Sequence, residues 1–216
     1  MKRMVKTGCL YILAMLIFCG CNQVSPQQTQ TPTQPISGDN LVCLEISRFS
    51  GAFVENGSDE QVTDVAAILV ANESSRFLEL ATVTYRVGDK TATFKITGLP
   101  AGEKAWVLEQ DRMSIAPSDV LAFEDCKETY NANAILDTKD VTVTRQGNVL
   151  TVVNNTDQVL KNVCAYYKNR MEDRTFLGGI TYLVSFGDLA PGGMVQRASA
   201  HFGITSDIVR YSYQIV

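Results

Sequence analysis

Apolar and polar positions alternate along most of the chain after residue 40, in short runs separated by Gly, Asn, Asp and Pro. Residues 91–97 alternate strictly, which is typical of a strand with one buried face. Residues 141–144 and 149–153 flank a Gln-Gly-Asn turn, and this arrangement predicts a β-hairpin. Residues 117–130 fit either one strand around residues 120–123 or a short helical turn. The other predicted strands are residues 65–71, 78–87, 105–108, 159–167 and 208–215, so the predicted fold class is all-β.

Two parts of the chain resemble each other and predict an internal repeat. Residues 70–78 align with residues 152–160, and each copy has a strand end, an Asn-led polar turn and the start of a second strand. Residues 98–102 align with residues 188–192 after eight extra residues in the second copy. The repeat predicts two β-sandwich domains, at residues 41–130 and 131–216. One continuous sandwich with chance similarity is the alternative.

The first 20 residues have the pattern of a secretory signal peptide. Three bases at the start precede an uncharged run over residues 7–20, which is shorter than the roughly 20 apolar residues of a membrane-spanning helix. Cys21 follows the small residue Gly20, and this resembles the lipobox at which bacterial lipoproteins are cleaved and acylated. Residues 1–20 are therefore predicted to be removed, and Cys21 to carry the lipid. An ordinary secretory signal with a chance cysteine is the alternative.

Residues 21–40 are predicted to form a disordered, lipidated tether. They are rich in Gln, Thr and Pro and carry one charge, at Asp39, so they lack the apolar side chains that a core needs. The positive end of a signal peptide stays in the cytoplasm, so the chain that follows is predicted to be exported. Several acyl chains on one cysteine would anchor the protein stably. The predicted location is the extracytoplasmic side of the cell membrane.

The charge of the chain excludes one class of partner and is distributed unevenly. The net charge of −4 becomes −7 once Lys2, Arg3 and Lys6 are removed with the signal peptide. A nucleic-acid-binding protein would need a basic surface, so no nucleic acid is predicted as a partner. Residues 41–130 contain 15 acids and 8 bases, whereas residues 131–216 contain 7 acids and 8 bases. This difference suggests two separate surfaces, with simple solubility as the favoured explanation.

Three short segments carry a resemblance to a known class of proteins. They are Val-Val-Asn-Asn-Thr at residues 152–156, Ala-Tyr-Tyr-Lys-Asn at residues 165–169, and the Leu-Pro/Ala-Gly turn that precedes a strand in each copy. Together they resemble bacterial lipoproteins of unknown function whose folded part is a tandem of small immunoglobulin-like sandwiches, including the FxLYD-type domain. The resemblance implies two tandem immunoglobulin-like domains, with residues 131–216 closer to the FxLYD type. It also implies a cell-envelope setting and no known enzymology.

The cysteines of the folded part allow two interpretations. Cys43 lies in a strand at the start of the first predicted domain, and Cys126 lies near the end of that domain. The first and last strands of such sandwiches often run side by side. A Cys43–Cys126 disulfide is possible in an exported protein, and two reduced, partly buried thiols are an equal alternative. Cys164 lies between Val163 and Ala165, so alternation points its side chain away from their face. It is predicted to have no disulfide partner within the chain.

The residues for enzymatic or metal chemistry are sparse, so no enzyme, no cofactor and no metal are predicted. His201 is the only histidine, and its surroundings contain no nucleophile motif. One histidine and scattered cysteines do not have the spacing of a zinc site. Residues 55–60 place carboxylates around a Gly turn but lack the spacing of a calcium loop. A solvated turn is the preferred interpretation of that segment.

The extra residues of the second copy, residues 168–182, are the candidate for a binding surface. They place bases beside aromatic residues, a combination common at protein interfaces, and a Gly pair at which the backbone can bend. The alternative is a long hairpin whose aromatic side chains cover the edge of the sandwich. The candidate interface residues are Lys168, Arg170, Arg174, Phe176, Gly178, Gly179 and Tyr182.

The predicted function is that of a non-enzymatic, membrane-anchored envelope lipoprotein that presents a protein-binding or assembly surface. Sandwich loops or a free strand edge would make the contact with the partner protein. Recognition of a small ligand or glycan between the two domains is the alternative. A pocket lined by aromatic residues between the domains would favour the alternative, whereas an exposed apolar patch at residues 176–182 would favour a protein partner.

Overall fold

The computed structural model of this chain describes residues 27–30, 34–35, 40–58 and 60–216. The predicted signal peptide and Cys21 lie outside the described residues. The described part is all-β, with no helix, which confirms the predicted fold class. Its strands are β1 (Gln27–Gln30), β2 (Gln34–Pro35), β3 (Leu41–Ala52), β4 (Gln61–Asn72), β5 (Phe77–Val87), β6 (Lys90–Leu99), β7 (Lys104–Leu108), β8 (Ala122–Asn131), β9 (Val141–Gln146), β10 (Val149–Asn154), β11 (Leu160–Arg170), β12 (Phe176–Leu189), β13 (Met194–Ala198) and β14 (Ser206–Ile215).

The internal repeat is present in the strand pairing. In the first copy, β3 pairs with β4 and β4 with β7, while β6 and β8 both pair with β5. In the second copy, β9 pairs with β10 and β10 with β13, while β12 and β14 both pair with β11. Each repeat therefore contains two three-stranded antiparallel sheets connected in the same order. Alternating apolar residues bury the inner faces, as in Ala92, Phe94 and Ile96 of β6.

A buried asparagine closes the same turn in both repeats. Asn72 donates from Nδ2 to the carbonyl oxygens of Arg76 and Leu99, both at 2.9 Å, while its Oδ1 accepts from the Ser74 hydroxyl. Asn154 makes the equivalent bonds to Gln158, Leu189 and Thr156. These are the residues that the sequence alignment pairs. Each asparagine satisfies backbone groups that would otherwise be buried without a partner.

The two repeats share one sheet. The start of β12 pairs in parallel with β7, with Phe176 opposite Ala105 and Leu177 opposite Trp106. The β3–β4–β7 sheet of the first repeat therefore continues into the β12–β11–β14 sheet of the second. A one-sheet connection of this kind was not expected from the alternation pattern, because the sequence does not show which edge strands meet.

Three apolar clusters stabilise this arrangement. One fills the first repeat and includes Phe176 and Val209 from the second. Another fills the second repeat around Tyr167, Phe186 and Phe202. The third covers the outer face of β4 and β7 and includes Met171 and Leu177, which come from the β11–β12 hairpin. The hairpin of the second repeat thus completes a core of the first, and β4 is buried on both faces.

Several local predictions are corrected by the structure. Residues 27–30 and 34–35, which were predicted to belong to a disordered tether, form strands that pair with β3. The free backbone groups along the edge of a sheet can bond to a further strand even when that strand has no apolar side chains. The strand predicted near residues 120–123 is longer and lies further along the chain, at β8 (Ala122–Asn131), because β8 pairs with β5 over its whole length. The β9–β10 hairpin forms as predicted, with Gln146 opposite Val149.

Of the two alternatives for Cys43 and Cys126, a disulfide or two thiols, the structure contains the two thiols. The strands that carry them do not run side by side, because β3 pairs with β4 in one sheet and β8 pairs with β5 in the other. Cys43 is buried against Tyr85, and its burial raises the pKa of the thiol. Cys164 is also a thiol, half-buried on β11.

Candidate binding site at the junction of the repeats

The junction is built where β12 of the second repeat passes β6 of the first. Gly179 lies so close to β6 that a Cβ atom there would overlap the carbonyl oxygen of Lys95. Thr181 donates from Oγ1 to the Thr97 carbonyl oxygen at 2.6 Å, and the Thr97 hydroxyl contacts Thr181 Oγ1 at 3.1 Å. A Cβ at Gly98, which has a φ of +61°, would lie 2.5 Å from the same Thr181 oxygen. Only glycine allows the two backbones to approach this closely.

Glu55 extends from the first repeat into this contact. Its carboxylate accepts hydrogen bonds from the backbone N–H groups of Gly179 at 2.8 Å, Leu108 at 2.8 Å and Ile180 at 3.2 Å. Glu55 therefore connects β7 of the first repeat to β12 of the second, at the point where these strands stop pairing. Residues 55–60 were interpreted as a solvated turn. For Glu55 that interpretation is wrong, because the backbone of the other repeat covers it.

Lys168 approaches the same segment from the second repeat. It is completely buried, and Nζ donates to the carbonyl oxygens of Ile180 at 2.6 Å, Gly179 at 3.0 Å and Thr97 at 3.2 Å. All three protons of its ammonium group therefore have acceptors. Glu55 and Lys168 thus bind the N–H and C=O groups of one two-residue segment, Gly179–Ile180.

The burial of both charges shifts their titration. Burial lowers the pKa of Lys168 to about 7, and the nearby Glu55 carboxylate acts in the opposite direction. Burial raises the pKa of Glu55, while its backbone hydrogen bonds and the charge of Lys168 oppose that rise. Each charge therefore stabilises the other against desolvation, which is the condition under which buried ionic groups are tolerated.

Two more acid–base pairs flank the buried pair and also cross between the repeats. Arg170 donates to both carboxylate oxygens of Glu103, at 2.9 and 3.0 Å. Arg210 donates to Glu79 at 3.0 Å, and its guanidinium lies over the Tyr166 ring, 4.4 Å from the centroid. In every case the acid comes from the first repeat and the base from the second. Some of the acids of the first half and of the bases of the second therefore form ion pairs at the junction of the repeats.

Two clefts open beside this junction. One has a volume of about 230 Å³ and is lined by Phe77, Glu79, Thr97, Gly98, Tyr166, Thr181 and Arg210. The other has a volume of about 400 Å³ and is lined by Glu55, Lys95, Thr97, Leu108, Gln110, Ile180 and Thr181. Thr97 and Thr181 line both clefts. We call the two clefts together the junction groove.

Most of the candidate interface at residues 168–182 is enclosed by these contacts. Four of its residues face inward, since Lys168, Phe176, Gly178 and Gly179 are buried. Arg170 is mostly buried by its ion pairs, Tyr182 is half-buried, and Arg174 is exposed. The segment is the hairpin of β11 and β12, which was the alternative interpretation. It seals the first repeat because its aromatic and glycine residues complete that core.

The residues that the sequence reasoning missed are mainly in the first repeat. Glu79, Thr97 and Gln110 line the junction groove but stand alone in the sequence, with no motif around them. The eight extra residues of the second copy were one signal in the sequence, because they indicate a feature that the first copy does not have. The charge difference between the halves was a second signal, although neither indicates which residues pair.

His201 is placed in a structural position. Its ring stacks on Tyr182 with 4.9 Å between centroids, and Tyr182 stacks in turn on Tyr167 at 5.2 Å. The Nε2 atom lies 4.0 Å from the position a Cβ would take at Gly57 of the first repeat. His201 is therefore part of the aromatic packing of the second repeat and lies near Gly57 of the first. In the part of the chain that is described, no group of three or more potential ligands is arranged to hold a metal ion.

No family model matches the chain, and no curated protein is significantly similar to it in sequence. Function must therefore be inferred from the groups in the site. Among the described residues, none forms a helix of the length and hydropathy needed to cross a membrane.

Proposed function

We propose that this chain is a non-enzymatic, lipid-anchored protein of the cell envelope, and that it binds its ligand in the junction groove. In this proposal each repeat is an immunoglobulin-like sandwich and Cys21 carries the lipid. The resemblance to tandem immunoglobulin-like lipoproteins of the FxLYD type supports the first point, as do the two facing antiparallel sheets in each repeat. The small residue before Cys21 supports the second.

The observation that carries the proposal is the convergence of both repeats on one concave site. Ligand sites occur preferentially at interfaces between domains and combine apolar walls with a few fixed polar groups. The junction groove is lined by the polar groups of Glu79, Gln110 and Arg210, and by Phe77 and Tyr166, over whose rings the Arg210 guanidinium lies. Shared sheet pairing and buried charges hold these groups in place, so little ordering is required on binding.

An alternative placement of the binding surface, on the β11–β12 hairpin, has less support. A protein partner there would need an exposed apolar patch at residues 176–182. Phe176 is completely buried and Leu177 belongs to a core cluster. Lys168, which would be the natural crosslinking site on that surface, is enclosed by three carbonyl oxygens.

The groove is tested by placing a photo-crosslinking amino acid at Gln110 in intact cells, with the same amino acid at Thr144 as control. Both positions are exposed, but Thr144 lies on β9, and it does not line the groove. The proposal predicts an adduct from position 110 that position 144 does not give. Equal adducts from both positions, or none from position 110, would contradict it.

The anchor is tested by Cys21→Ser. Loss of acylation removes the anchor, so the full-length product should leave the membrane fraction and appear in the soluble envelope or medium. The wild-type protein is the reference, and Cys164→Ser is a matched control because Cys164 lies within β11. If Cys21→Ser remains membrane-bound like the control, the lipid anchor is wrong.

A further inference from the structure

The segment that was predicted to be a tether follows one edge of the first repeat. Its strand β1 pairs antiparallel with β3, with Gln27 opposite Arg48, and its strand β2 pairs antiparallel with β3 at Pro35 opposite Val42. From Gln27 to Pro35 the segment advances by eight residues, while its partners on β3 go back by six. The two short strands therefore lie in order along the edge of β3 that β4 leaves free.

This pairing determines the end of β3 from which the chain continues to Cys21. Because β1 is antiparallel to β3, the chain enters β1 from the side of the turn between β3 and β4. Its first partner, Arg48, lies four residues from the end of β3 at Ala52 and seven from its start at Leu41. Cys21 precedes Gln27 by six residues, which reach at most about 20 Å when fully extended. A lipid on Cys21 is therefore held within that distance of Gln27, near the β3–β4 turn.

An unpaired tether would attach the protein by the opposite end of β3. The lipid would then be connected to Leu41, which follows Cys21 by 20 residues. Leu41 lies opposite Asn72, whose carbonyl oxygen accepts from the Gly102 N–H of the β6–β7 turn at 2.8 Å. The 12 residues of β3 span about 36 Å, so its two ends are well separated. The end of the first repeat that lies near the membrane therefore depends on whether the tether is paired.

We infer that the paired tether is a strap, which holds the protein with the β3–β4 turn towards the membrane and the Asn72 end of the first repeat away from it. This inference rests on the lipid anchor of the proposed function and is independent of the junction groove. Backbone groups of β3 provide the bonds of the strap, so its uncharged Gln, Thr and Pro residues need no pocket. In this orientation, the Asn-led turn and the β6–β7 turn are directed towards the envelope.

The test places the acylated protein in liposomes and compares the distances of the two ends from the bilayer. A donor dye is attached through an unnatural amino acid at Asn56, in the β3–β4 turn, or at Ala101, in the β6–β7 turn, and both positions are exposed. Acceptor dyes are attached to lipid headgroups. Energy transfer should be greater from position 56, because the two ends differ in height by up to about 36 Å. Equal transfer, or greater transfer from position 101, would overturn the inference.

Prolines in the tether test whether the pairing causes this orientation. Gln28→Pro together with Thr29→Pro removes two successive N–H groups, one of which faces β3 because successive groups of a strand point to opposite edges. This variant should reverse the order, with greater transfer from position 101. Val24→Pro with Ser25→Pro is the matched control, since it makes the same change before the paired residues, and it should keep the wild-type order. An unchanged order in the variant at positions 28 and 29 would overturn the strap.

Hydrogen exchange separates a failure of the strap from a failure of the anchor. In Cys21→Ser, the amides of residues 27–30 and 46–48 should exchange more slowly than the amides that remain there after Gln28→Pro and Thr29→Pro are added. Equally rapid exchange in both proteins would overturn the pairing, and the strap with it. Slow exchange at these amides, in a Cys21→Ser protein that stays on the membrane like the wild type, would instead overturn the anchor and the orientation that depends on it.

Discussion

Glu55 and Lys168 are the residues on which the contact between the repeats depends most. A buried ion pair is often no more stabilising than apolar residues of the same volume, because desolvation offsets the attraction. Here the two side chains also provide partners for backbone groups: Glu55 accepts three backbone N–H groups and Lys168 donates to three carbonyl oxygens. Replacing the pair with apolar residues would leave these groups without partners.

Lys168→Met should lower the free energy of unfolding by about 3 kcal/mol, because the carbonyl oxygens of Thr97, Gly179 and Ile180 lose their donor and stay away from water. Methionine keeps most of the side-chain volume, so a cavity contributes little to the effect. Urea unfolding followed by circular dichroism measures the change. Lys161→Met is the matched control, since Lys161 is exposed on the same strand, and it should change stability by less than about 0.5 kcal/mol. Similar losses in the two variants would show that the Lys168 contacts contribute nothing specific.

The buried ammonium also predicts how stability depends on pH. Burial lowers the pKa of Lys168 to about 7 from its ordinary 10.5, so between these values the unfolded chain binds more protons than the folded chain. Lys168 therefore makes stability rise as the pH increases from about 7 towards 10.5, and this contribution is lost as the pH falls. Denaturant titrations of the wild type and Lys168→Met across that window measure it. The difference between the two should grow with pH, and a constant difference would contradict the shift.

At the scale of elements, the Asn-led turn is the unit that the two repeats share most completely. Asn72→Ala and Asn154→Ala each remove a side chain that donates to two or three buried carbonyl oxygens. Each should cost about 3 kcal/mol, because the freed carbonyl groups stay away from water. Thermal unfolding measures the losses, with the exposed Asn133→Ala as control. A large loss in one repeat and none in the other would show that the two turns are not energetically equivalent.

The approach of β12 to β6 depends on a missing side chain. Gly179→Ala would place a methyl group against the Lys95 carbonyl oxygen. The Val107 side chain is also too close for the methyl group to shift away from that oxygen. The pairing of β12 with β7 should loosen, at a cost of about 3 kcal/mol, towards the upper end for overpacking. Hydrogen exchange of the amides where β7 and β12 pair, at Ala105, Trp106, Phe176 and Leu177, measures it, and those that bond between the two strands should exchange faster. Gly203→Ala is the control, because nothing lies within 4 Å of its Cβ position, and it should leave exchange unchanged.

The strands were predictable from the sequence because their buried faces alternate, as in β6 and β10. The repeat was predictable because Asn72 and Asn154 each determine a whole turn from one position. The contact between β7 and β12 was not predictable, since it depends on which edges meet and not on the pattern within either strand. Lys168 was assigned to the surface because a lysine is seldom buried, and only its three carbonyl partners explain the exception.

At the scale of the molecule, the distribution of charge has a structural consequence. Glu103 and Glu79 of the first repeat form ion pairs with Arg170 and Arg210 of the second, respectively, and Glu55 interacts electrostatically with Lys168. In the sequence alignment of the repeats, Glu79 corresponds to Lys161, so the acid of this ion pair is not repeated in the second copy.

The shared sheet predicts that both repeats unfold together. Trp106 is the only tryptophan and lies on β7 of the first repeat, so its fluorescence follows that repeat, whereas far-ultraviolet circular dichroism follows all strands. In the wild type the two signals should give one coincident transition in urea. If one repeat unfolded alone, the other would lose the contacts of the third cluster and those around the buried charges. In Gly179→Ala the link is weakened, so the fluorescence transition should separate from a broadened dichroism transition. Separate transitions in the wild type would show that the repeats are independent domains, and coincident ones in the variant would show that the link lies elsewhere.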